Sequence, residues 1–105
     1  MEDKYLICAS IADIPEIECK ALVDFYYSTH GDEWTKGFSG DSVGNKSRLT
    51  GNQACNWLGI VCDTAAPKHV IEITLNSNNL SGELPITLAN LEKMQTFALI
   101  GNDIR

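Results

Sequence analysis

The sequence predicts an α/β solenoid, in which a helix and a short β-hairpin form a cap ahead of about one and a half copies of a 24-residue repeat. The main observation is a set of positions that recur 24 residues later: Val70 and Met94, Ile73 and Phe97, Leu75 and Leu99, Asn78 and Asn102, Leu80 and Ile104. A fixed period in this range indicates repeats stacked around a common core. The second observation is an amphipathic helical pattern ahead of the repeat, which ends in a glycine.

The cap is assigned to residues 14–69, and its first element is the predicted helix. Apolar residues at helical spacing indicate a face packed against the core; they are Ile14, Ile17, Ala21, Leu22 and Phe25. Asp13 is the predicted N-cap residue, because Glu16 follows it at capping-box spacing. Glu16 and Glu18 also suit the positive end of the helix dipole. Gly31 is the predicted stop of the helix.

The rest of the cap is predicted to be a loop and a hairpin. Residues 37–51 are rich in glycine and serine, which indicates a loop. Residues 57–62 and 69–75 have the composition of strands, and the link between them contains Pro67. We expect these strands to pair as a hairpin that covers the first strand of the repeats, whose backbone groups would otherwise be unpaired.

Residues 70–105 are assigned to the repeats, one full and one partial. Apolar and polar residues alternate in the first strand, so Ile73 and Leu75 are predicted to face the core. The polar, outward positions are Glu72, Thr74 and Asn76. Asn78 and Asn102 are predicted to be structural, since an asparagine side chain can bond the backbone groups that a turn leaves unpaired. The leucines predicted to return to the core are Leu80, Leu84, Leu88 and Leu91.

Three segments resemble one known family of repeat proteins. Residues 78–85 read Asn-Asn-Leu-Ser-Gly-Glu-Leu-Pro and are similar to the plant-type leucine-rich repeat, with Leu84 where isoleucine is usual. Residues 55–63 read Cys-Asn-Trp-Leu-Gly-Ile-Val-Cys-Asp and resemble the N-terminal cap segment of those proteins. Residues 21–34 resemble the cap helix and its Gly-Asp-x-Trp turn. Over about residues 16–105, the chain thus resembles the start of the ectodomain of a receptor-like protein or receptor-like kinase.

The resemblance implies roles for the cysteines and tryptophans. Cys55 and Cys62 would form a disulfide around Trp57, which we expect to be buried against the helix; Trp34 is likewise expected to be structural. The remaining cysteines, Cys8 and Cys19, could form a second pair, although Cys8 lies outside the matching region. A zinc site is the alternative, but the usual Cys-x2-Cys spacing is absent. In a cytosolic chain all four cysteines would be reduced.

Composition and motifs favour a binding module over an enzyme. The net charge of −6 argues against nucleic acid and anionic membranes as partners, and no apolar run is long enough for direct membrane insertion. The motifs of phosphate-binding loops, serine hydrolases and zinc proteases are missing from the sequence. We therefore assign no catalytic, cofactor-binding or metal-binding residue. A kinase domain, which family members often have, would lie outside this chain.

The expected function is recognition of a peptide, protein or glycan by the concave face of the solenoid, as in cell-surface signalling or defence. The candidate contacts are Glu72, Thr74, Asn76, Gln95, Thr96 and Ala98. The family is usually exported, so we expect a secreted or extracellular location, although residues 1–13, which are otherwise unassigned, show no signal-peptide pattern. In an exported chain, Asn45 and Asn79 would be N-glycosylation acceptors.

Two other interpretations are open. The chain could be a purely structural capping unit or a truncated gene product with no ligand of its own. It could also be a cysteine-based redox or metal protein. If no further repeat followed, the apolar residues of the second copy would lack a neighbour to pack on, and we would expect the chain to associate through that end.

Overall fold

The computed structural model describes residues 5–35, 53–65 and 67–104. In this part of the chain one α-helix, α1 (Glu16–Ser28), precedes five short strands: β1 (Ile60–Cys62), β2 (Val70–Thr74), β3 (Ser81–Gly82), β4 (Thr96–Ala98) and β5 (Asp103–Ile104). Short 3₁₀ helices lie at Leu6–Ala9, Gly31–Glu33, Ala54–Asn56 and Ile86–Asn90. The predicted loop 37–51, which includes Asn45, lies outside the described residues.

The strands form two small sheets. In the three-stranded sheet β2 is central, with β1 antiparallel on one side and β4 parallel on the other. Every Cα partner in the β2–β4 register is 24 residues away; the pairs are Glu72 with Thr96, Ile73 with Phe97 and Thr74 with Ala98. Strands β3 and β5 pair in parallel to form the second sheet. Successive passes of the chain therefore place equivalent sequence positions side by side.

The core lies where α1 and the strands meet. Its centre is aromatic, because the Trp34 ring lies 5.8 Å from that of Phe25 and 5.1 Å from that of Tyr26. Trp34 Nε1 donates to the carbonyl of Thr29 at 3.1 Å, so the buried indole N–H has a partner. The strands and the segments that connect them add further buried side chains, among them Val70, Ile73, Leu75, Leu80 and Leu91. Leu84 is exposed, so the prediction that it returns to the core is wrong; its side chain instead lines an open apolar groove beside Phe97.

The start of α1 differs from the prediction. The helix begins at Glu16 with Pro15 in the N-cap position, and no side chain caps it. The Asp13 carboxylate accepts hydrogen bonds from the backbone N–H groups of Ala54 and Cys55, at 3.0 and 2.9 Å. The predicted N-cap role of Asp13 is therefore wrong. Its carboxylate instead accepts from the first backbone N–H groups of the 3₁₀ helix Ala54–Asn56, which is distant in sequence.

The buried face and the end of α1 also differ from the sequence pattern. Ile17, placed on the core face by its spacing, is 54% exposed, whereas Glu18 is 3% exposed. Burial of Glu18 is tolerated because its carboxylate has partners on β2 and on the residue before it. The helix ends at Ser28, and His30, with φ of 60°, is the residue in the left-handed region. Gly31 is needed for a different reason, since a Cβ there would lie 2.3 Å from the Tyr26 ring.

Residues 5–14, most of which belong to the segment that the sequence left unassigned, pack against α1. The disulfide between Cys8 and Cys19 joins the 3₁₀ helix Leu6–Ala9 to α1. The Tyr5 hydroxyl donates to the Asp24 carboxylate at 2.7 Å. Thr87 donates to the same carboxylate from residues 83–95, which connect β3 to β4 and which we call the return leg. Residues 5–14 are therefore linked to α1 by a covalent bond and a polar contact. The helices seen in the described ranges are all too short and too polar to cross a bilayer.

Candidate functional site

The candidate site is the outward face of the three-stranded sheet, built from side chains that alternate with the core residues. Because successive side chains of a strand point to opposite faces, residues aligned across strands share a face. The register aligns Val61 of β1, Glu72 of β2 and Thr96 of β4 in one row. Thr74 and Ala98 form a second row. We call these residues, together with Leu58 in the turn before β1, the outer sheet face.

Four of the six predicted contact residues lie in these rows. Thr96 is exposed, while Glu72, Thr74 and Ala98 are half-buried. Asn76 is exposed, but its Oδ1 accepts a hydrogen bond from the Ile100 backbone N–H at 2.7 Å. This bond links the segment after β2 to the segment after β4. Gln95 is exposed and precedes the first paired residue of β4, so the strand register places it in neither row.

Two apolar members of the outer sheet face were not predicted as contacts. Val61 is 43% exposed and Leu58 is 39% exposed. The alternation of Ile60, which is buried, with Val61 was visible in the sequence and could have indicated an outward valine. Pairing with Glu72 is what extends the face onto β1, and only the register shows that pairing.

A shallow groove adjoins this face at the end of β2. Its volume is about 280 Å³, and the residues that line it come from three segments: Thr35, Leu58, and 74–78. Beside it, the Thr74 hydroxyl donates to the Glu72 carboxylate at 2.9 Å. Hydroxyl, amide, carboxylate and aliphatic groups side by side are suited to binding a mixed polar and apolar surface.

Asn102 links the segment after β4 to the segment after β2. Its Oδ1 accepts from the backbone N–H groups of Asn78 and Leu80, both at 2.9 Å. Its Nδ2 donates to the carbonyls of Leu75 and Leu99, at 2.7 and 3.0 Å. Asn78 is itself buried. A side chain hydrogen-bonded to this many backbone groups serves the fold rather than a ligand.

Both cysteine pairs are bonded in the structure. The Cys55–Cys62 disulfide joins the 3₁₀ helix Ala54–Asn56 to β1 across a sequence separation of seven residues. Trp57, within that loop, is 5% exposed. The described ranges contain no group of three or more His, Cys, Asp or Glu side chains placed to hold a metal ion.

The two histidines have polar partners that the sequence did not suggest. His69 Nδ1 lies 2.7 Å from the Glu18 carboxylate, and His30 Nδ1 lies 3.0 Å from the Ser81 hydroxyl. Ser81 is the third residue of the predicted N-glycosylation tripeptide that starts at Asn79. Asn79 is exposed, and its Nδ2 donates to the Glu33 carbonyl at 2.9 Å.

Comparison with known proteins gives a partial match. No protein-family profile matches the chain. A segment of 46 residues, 44% of the chain, is 39% identical to a probable leucine-rich repeat receptor-like protein kinase of Arabidopsis thaliana. The segment represents about 5% of the length of that kinase. The match supports a loose leucine-rich-repeat resemblance, and it is too short to bear on catalysis.

Proposed function

We propose that this chain is a non-catalytic recognition module, formed by the cap and first turns of a leucine-rich-repeat solenoid, that binds a peptide, protein or glycan on the outer sheet face. The observation that carries the proposal is the parallel pairing of β2 with β4 at an offset of 24 residues. Strands paired in this way align the outward side chains of successive repeats in rows across the sheet, and such rows form the binding surfaces of solenoid proteins.

The surroundings of the outer sheet face agree with a binding role. On β2 the inward-facing Ile73 is fully buried, whereas its partner on β4, Phe97, is 39% exposed. The core beneath β2 is therefore filled without the outward residues of that strand. The chain's partial likeness to a receptor-like kinase and its two disulfides favour an extracellular location, because disulfides persist in oxidising compartments. In this proposal any kinase activity belongs to another part of a longer protein.

The test is to find ligands without assuming one and then to locate where they bind. The 105-residue chain is immobilised in oxidised form and probed with a random dodecapeptide phage library and with a glycan array. Thr96→Arg places a long charged side chain in the exposed end of the first row, so it should abolish binding of most selected ligands. Ile86→Arg makes the same kind of change at an exposed site on the return leg and should leave binding unchanged.

Two results would contradict the proposal. One is a failure to select any ligand from either collection. The other is a set of ligands that bind equally well to Thr96→Arg and to wild type, because those ligands would occupy a different surface. Circular dichroism of each variant must first show an unchanged melting transition.

A second candidate function, a purely structural cap, is favoured by the position of β1. This strand pairs antiparallel along β2 and covers the edge opposite β4. Covering an edge prevents uncontrolled strand pairing. A cap without a ligand predicts that disrupting β1 promotes aggregation, while changes on the outer sheet face have no effect on any binding measurement.

A further inference from the structure

We propose that the outer sheet face binds an extended peptide segment that presents a lysine or arginine to Glu72 and an aliphatic side chain to Val61 and Leu58. This inference rests on the proposed function and narrows it to one ligand chemistry. It also extends the ligand surface from the repeats onto the cap strand, which the sequence pattern had not included.

The charge of the surface argues for a basic ligand. Glu72 lies at the centre of the first row, between Val61 and Thr96. Thr74 is the one described side chain that donates to its carboxylate, and this bond fixes the orientation of the acceptor. A carboxylate oriented in this way, with no cationic side chain beside it among the described residues, favours an incoming ammonium or guanidinium group.

The lysines that the structure describes lie away from this carboxylate. Lys20 is on α1, 3.6 Å from Glu16 and close to the Tyr5 ring. Lys68 precedes β2, and Lys93 precedes β4. None of the three lies in either outward row. The net charge of −6 would further attract a basic segment toward the chain.

The apolar half of the surface argues for an aliphatic neighbour of that basic side chain. Val61 and Leu58 are each about two-fifths exposed. Val61 is the β1 partner of Glu72, and Leu58 lines the groove at the end of β2 beside Thr74. Adjacent strands are about 5 Å apart, and side chains two positions apart in an extended peptide are about 7 Å apart on one side. A lysine or arginine and an aliphatic residue two positions apart can therefore reach Glu72 and Val61 together, because a long basic side chain spans the small difference.

An extended peptide also fits the polar composition of the site better than a glycan does. Thr74 and Thr96 offer hydroxyl groups to peptide amides and carbonyls. The outer sheet face has no described aromatic side chain, whereas apolar contact here comes from branched aliphatic residues. Glycan binding at this face is therefore the result that would compete with peptide binding in the experiment below.

The experiment uses the dodecapeptides selected on the wild-type chain, and measures their affinities by fluorescence anisotropy. Selected peptides should be enriched in lysine or arginine with an aliphatic residue two positions away. Glu72→Lys should weaken their binding at least tenfold, and Glu83→Lys, which makes the same change at an exposed carboxylate on the return leg, should have little effect. Val61→Ser should weaken binding about fivefold, with Ile86→Ser as the matched control.

The outcomes separate this inference from the proposed function. Peptides that fail to bind Thr96→Arg but lack basic residues and tolerate Glu72→Lys would overturn the inference and leave the proposed function standing. Selection of glycans but no peptides at this face would do the same. Ligands whose affinity is unchanged by every substitution on the outer sheet face would overturn both the inference and the proposed function. Failure to select any ligand would do the same. Raised salt should weaken a peptide that depends on Glu72, and salt-independent binding would count against the inference.

Discussion

Replacing Glu18 with alanine should lower the free energy of unfolding by about 3 kcal/mol. The carboxylate is almost completely buried, and it accepts a hydrogen bond from the Val70 backbone N–H at 2.8 Å. Its second oxygen lies 2.7 Å from His69 Nδ1. An unpaired buried N–H costs about 1–3 kcal/mol, and a hydrogen bond to a charged group contributes about 1.5–3 kcal/mol. We expect the lower part of the summed range, since water can reach the half-buried His69 in the variant.

Two further variants distinguish the two possible causes of this destabilisation, which are loss of the buried contacts of Glu18 and loss of its interaction with the helix dipole. Glu16→Ala removes the same charge from the same first helical turn, but Glu16 is largely exposed and its described partner is Lys20 at 3.6 Å. Loss of its interaction with the helix dipole should cost only about 0.3–1 kcal/mol. Glu18→Gln keeps an oxygen that can accept from the Val70 N–H, so its effect should fall between those of the two alanine variants.

Urea unfolding of the oxidised chain, followed by tryptophan fluorescence and by circular dichroism, measures all three variants. The reasoning would be refuted if Glu18→Ala and Glu16→Ala differed by less than about 1 kcal/mol. That result would mean that Glu18 acts through the helix dipole alone and that its contacts with β2 add nothing to stability.

Three other changes test the packing around α1 and β1. Trp57→Ala removes a buried aromatic side chain and should cost about 3–5 kcal/mol, enough to unfold a chain of this size; an unchanged melting temperature would show that the ring does not pack in the core. Replacing Cys55 and Cys62 together by serine should lower stability by about 2.5 kcal/mol, from the entropy of closing so short a loop; free thiols at both positions in non-reducing peptide maps of secreted protein would contradict the pairing. Gly31→Ala should be strongly destabilising because the new Cβ would overlap the buried Tyr26 ring, and thermal unfolding that matches wild type would show that the ring can move.

The elements that local pattern specifies best are those whose partners are close in sequence or follow a period. Apolar alternation around Ile73 indicates a strand, and the 24-residue step relates it to Phe97. The sequence predicts that Asn102 bonds turn backbone, and its side chain forms hydrogen bonds with backbone groups of residues 75, 78, 80, 99 and 100. Such features depend on side-chain type and spacing, which a sequence displays directly.

The features that were missed depend on contacts between segments distant in sequence. Asp13 has the spacing of a helix cap, but the amides of Ala54 and Cys55 approach it from 41 and 42 residues away. Ile17 has the spacing of a core residue, yet Glu18 is buried in its place. A helical pattern cannot show this exchange, because the burial of a carboxylate depends on donors that other segments provide.

The sequence by itself determined which residues are equivalent along the chain, since periodicity and alternation are properties of one dimension. Only the tertiary structure decided which of the outward residues form one surface. Val61 and Glu72 are eleven residues apart and share no sequence period, and the antiparallel register of β1 on β2 is what places them side by side. Strand register is set by packing and hydrogen bonding across the sheet, and a shift of one residue would turn Val61 to the opposite face.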